Sequence, residues 1–248
     1  MQVLITRPLE TGAVLTQKLT ALGFRVVHFP VMQFKPTTQQ ETLKKSITHL
    51  SNYDIAIFVS QAAVRFTLSL IPKPALIPIR WAAIGPSTQN ALNQFGISNI
   101  IVPSKPPFES EALLQTASLQ KEVVFKKKVV IFRGNGGRNL LQDVLTNRGA
   151  SVDCIEAYER TLPPPPDENI LANWRKHPFD AIVLSSQDCL QHFLQLVGVD
   201  ATWLKECQTV VVGLRMSTLA NKLGFRRLLI ADGADDASII QTLQRLEG

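Results

Sequence analysis

The chain repeats itself. An offset of 126 residues brings Arg7 onto Arg133, Leu15 onto Leu141, Leu19 onto Leu145 and Gly23 onto Gly149. The same offset pairs Asp54 with Asp180, Ser60 with Ser186, Gln61 with Gln187, Leu68 with Leu194 and Leu70 with Leu196. At an offset of 128, Gly85 meets Gly213, Gly96 meets Gly224 and Ser110 meets Ser238. The pairs are collinear over nearly the whole chain, so its 248 residues are two copies of one smaller plan.

Each copy alternates short apolar runs with helical patterns. The first predicts strands at Val3–Thr6, Arg25–His28, Ile55–Val59, Trp81–Ile84 and Ile100–Val102. The second predicts Val129–Phe132, Val152–Ile155, Ala181–Leu184, Val210–Val212 and Leu228–Ile230. Val14, Leu15, Leu19 and Leu22 share one helical face, and Gly23 stops that helix. The predicted fold is α/β: two flavodoxin-like parallel-sheet domains from an internal duplication, joined by two extended crossing segments. The crossings are placed at Phe29–Pro36 and at Ala157–Leu162 with Pro163–Pro166, where four successive prolines exclude a helix. Periodicity alone leaves open whether the domains are the consecutive halves or exchange their first strand–helix–strand units.

A composition of 45% hydrophobic and 19% charged residues excludes disorder, and no apolar run is long enough for a membrane helix. The start, Met1-Gln2-Val3-Leu4-Ile5-Thr6, reads as a strand and not a signal peptide, so a cytoplasmic protein is expected. The formal charge of +6 suggests an acidic ligand. Low aromatic content and the lack of a nucleic-acid-binding signature argue against nucleic acid. The run Lys126-Lys127-Lys128 reads as a solvated strand entrance.

Ligands of open parallel sheets bind beyond the carboxyl ends of the strands. There the first copy places Arg7-Pro8, Ser60-Gln61-Ala62 and Gly85-Pro86-Ser87-Thr88. The second places Arg133-Gly134-Asn135-Gly136, Ser185-Ser186-Gln187 and Gly213-Leu214-Arg215. Each opens a helix, where free backbone N–H groups and the helix dipole attract anions. Any single Ser or Thr there is explained by capping alone. Six such turns with three arginines point to a ligand bearing several carboxylates or phosphates.

Other constellations are weaker. The glycine cluster has Asn139 where a dinucleotide fingerprint needs glycine, and no Lys-Ser/Thr pair makes it a phosphate loop. His28, His49, His177 and His192 are scattered; Asp232, Asp235 and Asp236 read as helix-start charges. Cys154, Cys189 and Cys207 form neither a CxxC pair nor an even disulfide set, and Cys189 reads as a buried helix residue. No metal and no cofactor is expected.

Taken in order, these turns resemble the uroporphyrinogen-III synthase family. The resemblance rests on Ile5-Thr6-Arg7-Pro8, Phe58-Val59-Ser60-Gln61-Ala62-Ala63-Val64 and Ala83-Ile84-Gly85-Pro86-Ser87-Thr88 with Ala91-Leu92. It continues through Phe132-Arg133-Gly134-Asn135-Gly136-Gly137-Arg138, then Leu141, Leu145, Gly149 and Ala157-Tyr158-Glu159-Arg160, Leu184-Ser185-Ser186 and Ser238. It implies cyclisation of linear hydroxymethylbilane to uroporphyrinogen III, with inversion of the last pyrrole through a spiro intermediate and loss of water, by a cytoplasmic monomer. It implies exchanged domains, 1–35 with 165–248 and 36–164, around an open cleft, and a catalytic role for Tyr158 facing that cleft. Many relatives carry Asn or Arg where Ala62 stands, and Leu214-Arg215-Met216 replaces the hydroxyl-bearing turn of the first copy. The competing expectation is a non-catalytic two-domain intracellular binder of a polyanionic small molecule.

Overall fold

The structure, a computed structural model, describes residues 1–198 and 202–246. Among the described residues there are ten strands: β1 Gln2–Ile5, β2 Arg25–His28, β3 Gln33–Pro36, β4 Ile55–Phe58, β5 Arg80–Ala83, β6 Lys128–Gly134, β7 Ser151–Thr161, β8 Ala181–Leu184, β9 Gln208–Val212 and β10 Leu228–Ala231. Two compact units result, Met1–Gln33 with Thr161–Gly248, and Phe34–Arg160. The first joins β1 and β2 of the first copy to β8, β9 and β10 of the second.

In the first unit the sheet order is β2-β1-β8-β9-β10, with every neighbour parallel. Numbered within the unit that is 2-1-3-4-5, the flavodoxin-like order. Leu4 faces Val27 on one side and Ile182 on the other. Both faces are covered, which is why the strands are continuous apolar runs. Leu4, Ile182, Leu184 and Val211 pack with Leu190 and Phe193 on one face. Val3, Ile5, Val183 and Val210 pack with Leu15, Leu19, Ile239 and Leu243 on the other.

The second unit has the order β3-β7-β6-β4-β5. Phe58, Phe132 and Trp81 stack across three strands, with Phe58 5.0 Å from Phe132 and 6.0 Å from Trp81. The opposite face buries Ile57 and Ile131 against Leu113, Leu141 and Leu145. The duplication is visible in detail at the amino ends of the strands. Asp54 Oδ2 accepts the Lys128 amide at 2.8 Å, and its counterpart Asp180 accepts the Gln2 amide at 2.6 Å. Lys127 pairs with Asp54 at 2.9 Å, so the lysine run does sit at a strand entrance.

Three expectations differ. Ile100–Val102 is reduced to a single parallel bridge, Ala82 to Ile101. The stretch read as the first crossing contains β3, and β7 runs on through Ala157–Thr161. Pairing continues there because Asn135 N–H donates to the Tyr158 carbonyl at 3.0 Å, past a bulge at Arg133/Gly134. Helix Leu9–Ala21 buries Leu15 and Leu19 but leaves Val14 and Leu22 exposed. Gly23 ends it at φ 91°, a left-handed position where glycine is favoured.

Candidate active site

The predicted residues lie at the carboxyl ends of the strands in each unit. In the second unit, β4 turns through Ser60 into helix Gln61–Leu68. Ser60 caps that helix, its Oγ accepting the Ala63 amide at 3.0 Å. Gln61 is exposed and Ala62 is buried in the core. After β5, Gly85 precedes helix Pro86–Gln94, with Ser87 exposed and Thr88 buried. A Cβ at Gly85 would stand 2.8 Å from Phe108 Cβ, so only glycine lets Phe108 cover this turn.

The glycine-rich turn after β6 is built around Arg133. Its guanidinium donates to the Gly136 carbonyl, to Asn139 Oδ1 at 3.0 Å and to the Arg138 carbonyl at 3.4 Å. It acts as a strut for a loop in which Gly136 and Gly137 have φ of 67° and 91°. Asn135 fastens the same loop to β7, its Oδ1 accepting the Arg160 amide at 2.8 Å. Arg138 binds Glu111 in a two-pronged pair, which lowers the glutamate pKa and raises the arginine pKa. A cavity of about 150 Å³ opens beside the loop and is lined by Ser110, Arg133, Gly134, Gly136, Cys154 and Arg160, among others. Burial pushes the Cys154 thiol pKa up, with Arg133 partly opposing it.

Tyr158 does not face outward. Its side chain is 1% exposed, edge-on to Phe34 at 5.3 Å and stacked on Phe66 at 5.9 Å. Gly134 makes room for it: a Cβ there would lie 2.7 Å from two ring carbons. The hydroxyl lies 3.0 Å from Ser60 Oγ and receives a hydrogen bond from Arg160 Nη2 at 3.5 Å.

In the first unit, Arg7 after β1 is 6% exposed. It donates to Asp236 Oδ1 at 2.7 Å and to the Ala234 carbonyl. Lys18 reaches the other Asp236 oxygen at 2.7 Å. Burial opposes ionisation of Asp236, but Lys18 and Arg7 outweigh it and hold its pKa below the usual range. Arg7 therefore ties the turn after β1 to the loop after β10. Pro8 precedes helix Leu9–Ala21, its carbonyl accepting the Gly12 amide at 2.8 Å.

Ser186 caps helix Gln187–Val197, its Oγ accepting the Cys189 amide at 3.1 Å. Ser185 Oγ is 4.0 Å from the buried Cys189 Sγ, and Gln187 is exposed. Gly213 opens helix Gly213–Lys222 at φ 71°, followed by Leu214 at 76% exposure. The structure brings Gln187 and Arg215 together along a groove of about 530 Å³ with Met216, Thr218, Leu219 and Lys222. Arg215 and Lys222 have no carboxylate partner among the described residues, so both charges are available to an anion.

Sequence reasoning missed Arg160, Phe108 and Lys222. Arg160 stands two residues from Tyr158, so strand alternation puts both on one face of β7, but a segment whose prolines suggest a connector carries no such alternation in its sequence signal. Asp236 reads in the sequence as a helix-start charge, but its partnership with Arg7 spans most of the chain. Among the described residues, no group of three or more His, Cys, Asp and Glu is placed to hold a metal. No helix among them is long and apolar enough to cross a membrane.

Comparison with known proteins places these turns in context. The family model described as uroporphyrinogen-III synthase HemD matches residues 13–241. The chain is 33% identical to the uroporphyrinogen-III synthase of Escherichia coli K12, over 98% of this chain and all of that protein. It is equally 33% identical to the Salmonella typhimurium LT2 enzyme over the same shares. The fold is like that of the Helicobacter pylori 26695 uroporphyrinogen-III synthetase, with a TM-score of 0.63 at 15% identity over 99% of both chains.

Proposed function

The chain belongs to the uroporphyrinogen-III synthase family, and from that membership we infer its reaction. It cyclises linear hydroxymethylbilane to uroporphyrinogen III, inverting the terminal pyrrole ring and releasing water, in porphyrin and haem biosynthesis. The observation that carries this reading is the family match over residues 13–241, together with 33% identity to two curated enzymes along their whole length. Nothing favours a non-catalytic binder.

The substrate carries an acetate and a propionate on each pyrrole, and each unit offers suitable partners. In the first, Gln187, Arg215, Lys222 and the first turns of helices Gln187–Val197 and Gly213–Lys222 supply donors. In the second, Arg160, the glycine-rich loop and the first turns of helices Gln61–Leu68 and Pro86–Gln94 do the same. Several separate donors suit a polyanion better than one deep pocket. Loss of hydroxide from the terminal pyrrole gives an azafulvene without help, and direct closure competes with inversion. The protein's task is to hold the chain so that spiro closure comes first. Arg133 serves by fixing the glycine-rich loop that carries donors, and Arg7 by tying the turn after β1 to the loop before helix Asp236–Gln244.

The site residues, and a cytoplasmic monomer as the working form, belong to this proposal. Sedimentation and cell fractionation test the last two. For the reaction, hydroxymethylbilane is supplied and the isomers are resolved: excess isomer III over the spontaneous isomer I is expected. Isomer I alone would refute the reading.

A further inference from the structure

Ser60 lies half-buried at the carboxyl end of β4, and Tyr158 lies behind it in the core. The two hydroxyl oxygens are 3.0 Å apart, so one donates to the other. Which one is fixed by their other partners. Arg160 Nη2 approaches the Tyr158 oxygen at 3.5 Å, and a guanidinium only donates. The Tyr158 oxygen is thus an acceptor toward Arg160, and its single proton needs an acceptor elsewhere. Among the described residues the only one in reach is Ser60 Oγ. The reverse direction would leave a buried phenolic proton unpaired, stripped of water with nothing in return.

Ser60 Oγ then receives two hydrogen bonds, one from Tyr158 and one from the Ala63 amide at 3.0 Å. A hydroxyl has two lone pairs and one proton. Both lone pairs are occupied, so the Ser60 proton remains unspent and the group is held as a one-way donor. We propose that the Ser60 hydroxyl, and not that of Tyr158, is the donor the second unit offers to an anionic oxygen of the substrate, with Tyr158 and Arg160 as positioning residues that set its direction. That oxygen is either a side-chain carboxylate or the departing hydroxyl, on which negative charge develops as its C–O bond breaks; both accept. Ser186, in the other copy, has only the Cys189 amide on its oxygen among the described residues, so its proton is not directed in this way.

The inference rests on the proposed cyclisation, and the experiment separates the two. Wild-type protein that forms no isomer III refutes the cyclisation itself. With active wild type, a double-mutant cycle of Ser60→Ala and Tyr158→Phe is read by isomer-resolved kinetics. Ser60→Ala is expected to lower kcat/KM by about 10- to 100-fold, and Tyr158→Phe by about 3- to 10-fold. In the Ser60→Ala background, Tyr158→Phe is expected to change the rate by less than about twofold, because it acts through a group no longer there. A fall in kcat assigns the accepting oxygen to the departing hydroxyl, and a rise in KM assigns it to a carboxylate. Ser60→Thr, which keeps cap and proton, is expected to retain most activity. Ser60→Asp keeps the cap without the donor, and is expected to fold with unchanged melting temperature yet lose at least as much activity as Ser60→Ala. Multiplicative effects in the double mutant, or a larger loss in Tyr158→Phe than in Ser60→Ala, would overturn the assignment.

Discussion

The turn after β4 and the turn after β8 descend from one sequence, and they no longer do the same work. Both carry Ser-Gln at the start of a helix, and both serines accept the amide three residues on, at 3.0 Å for Ser60 and 3.1 Å for Ser186. Behind Ser60 stand Tyr158 and Arg160. At the offset of 126, those positions in the first copy hold Met32 and Phe34, which have no hydroxyl or guanidinium to give. The capping role, which the fold needs, has survived duplication in both units. The polar backing has not, so the equivalence of the two turns ends at the cap.

The two arginines that follow β1 and β6 teach a related lesson. Both look like anion contacts in the sequence, and both are spent on the protein itself, Arg133 on its own loop and Arg7 on the loop after β10. Arg7 holds Asp236 and the Ala234 carbonyl, while Arg133 holds the Gly136 carbonyl and Asn139. The cations left without a carboxylate partner among the described residues include Arg160, Arg215 and Lys222, none of them at the repeated arginine position. A repeated charge marks a repeated structural need more readily than a repeated ligand contact.

The harshest way to break the comparison is Gly134→Ala. The new methyl would meet the Tyr158 ring at 2.7 Å, whereas the matching position in the first copy tolerates Pro8. Overpacking of this kind costs about 1–3 kcal/mol and is expected to displace the hydroxyl from Ser60. Denaturation of the purified variant checks the first effect and isomer-III rate the second; wild-type stability and rate together would show that the close approach does not matter.

Arg7→Ala comes next. It strips one of two cations from a partly buried carboxylate, so a loss of about 1–3 kcal/mol is expected. Arg133→Ala, at a more exposed site, is expected to cost no more than about 1 kcal/mol. The same pair predicts an acid response. The Asp236 pKa is lowered in the folded state, so its stabilisation is fully present above the unfolded value near pH 4 and is lost as pH falls through the folded value. Asp236→Asn should flatten that part of the acid denaturation profile. A profile unchanged by Asp236→Asn would remove the pair from the account.

A smaller response is expected at the other end of the scale. Burial and the Asp153 carboxylate, 2.7 Å from the Tyr53 hydroxyl, push the Tyr53 pKa up to about 12. A raised phenol pKa gives stabilisation that is whole below the ordinary value near 10 and fades as pH rises through about 12. Tyr53→Phe should lose that alkaline dependence, as followed by denaturant midpoints between pH 9 and 12. The smallest effect expected is none at all: chelator treatment should leave isomer-III formation unchanged in both rate and yield, and loss restored by one added metal would contradict this.

Much of the fold was legible because its signals are local. Runs such as Ile55–Phe58 and Ala181–Leu184 are apolar on both faces, and the repeat fixed which strands correspond. The edge of the second sheet was less readable. Ile100 and Ile101 look like a strand, but pairing shrinks to one bridge, while Phe34 and Tyr158 sit in segments whose prolines suggest connectors. Of the site, the caps were legible in Ser60 and Ser186, since capping depends on the next three residues. The partners were not: Arg7 with Asp236, Ser60 with Tyr158 and Gly85 with Phe108 are tertiary contacts that no periodicity encodes.

The most direct test sets the two serines against each other. Ser186→Ala deletes one N-cap and should lower stability by about 1 kcal/mol, whereas Ser60→Ala deletes an N-cap and also the acceptor of the buried Tyr158 proton, and should cost about 1–3 kcal/mol more. Both are then assayed with hydroxymethylbilane at matched folded concentration, with isomers I and III resolved. The account predicts a clearly larger loss of isomer-III formation for Ser60→Ala, because only that hydroxyl is directed by Tyr158 and Arg160. Equal losses, or a larger one for Ser186→Ala, would contradict it.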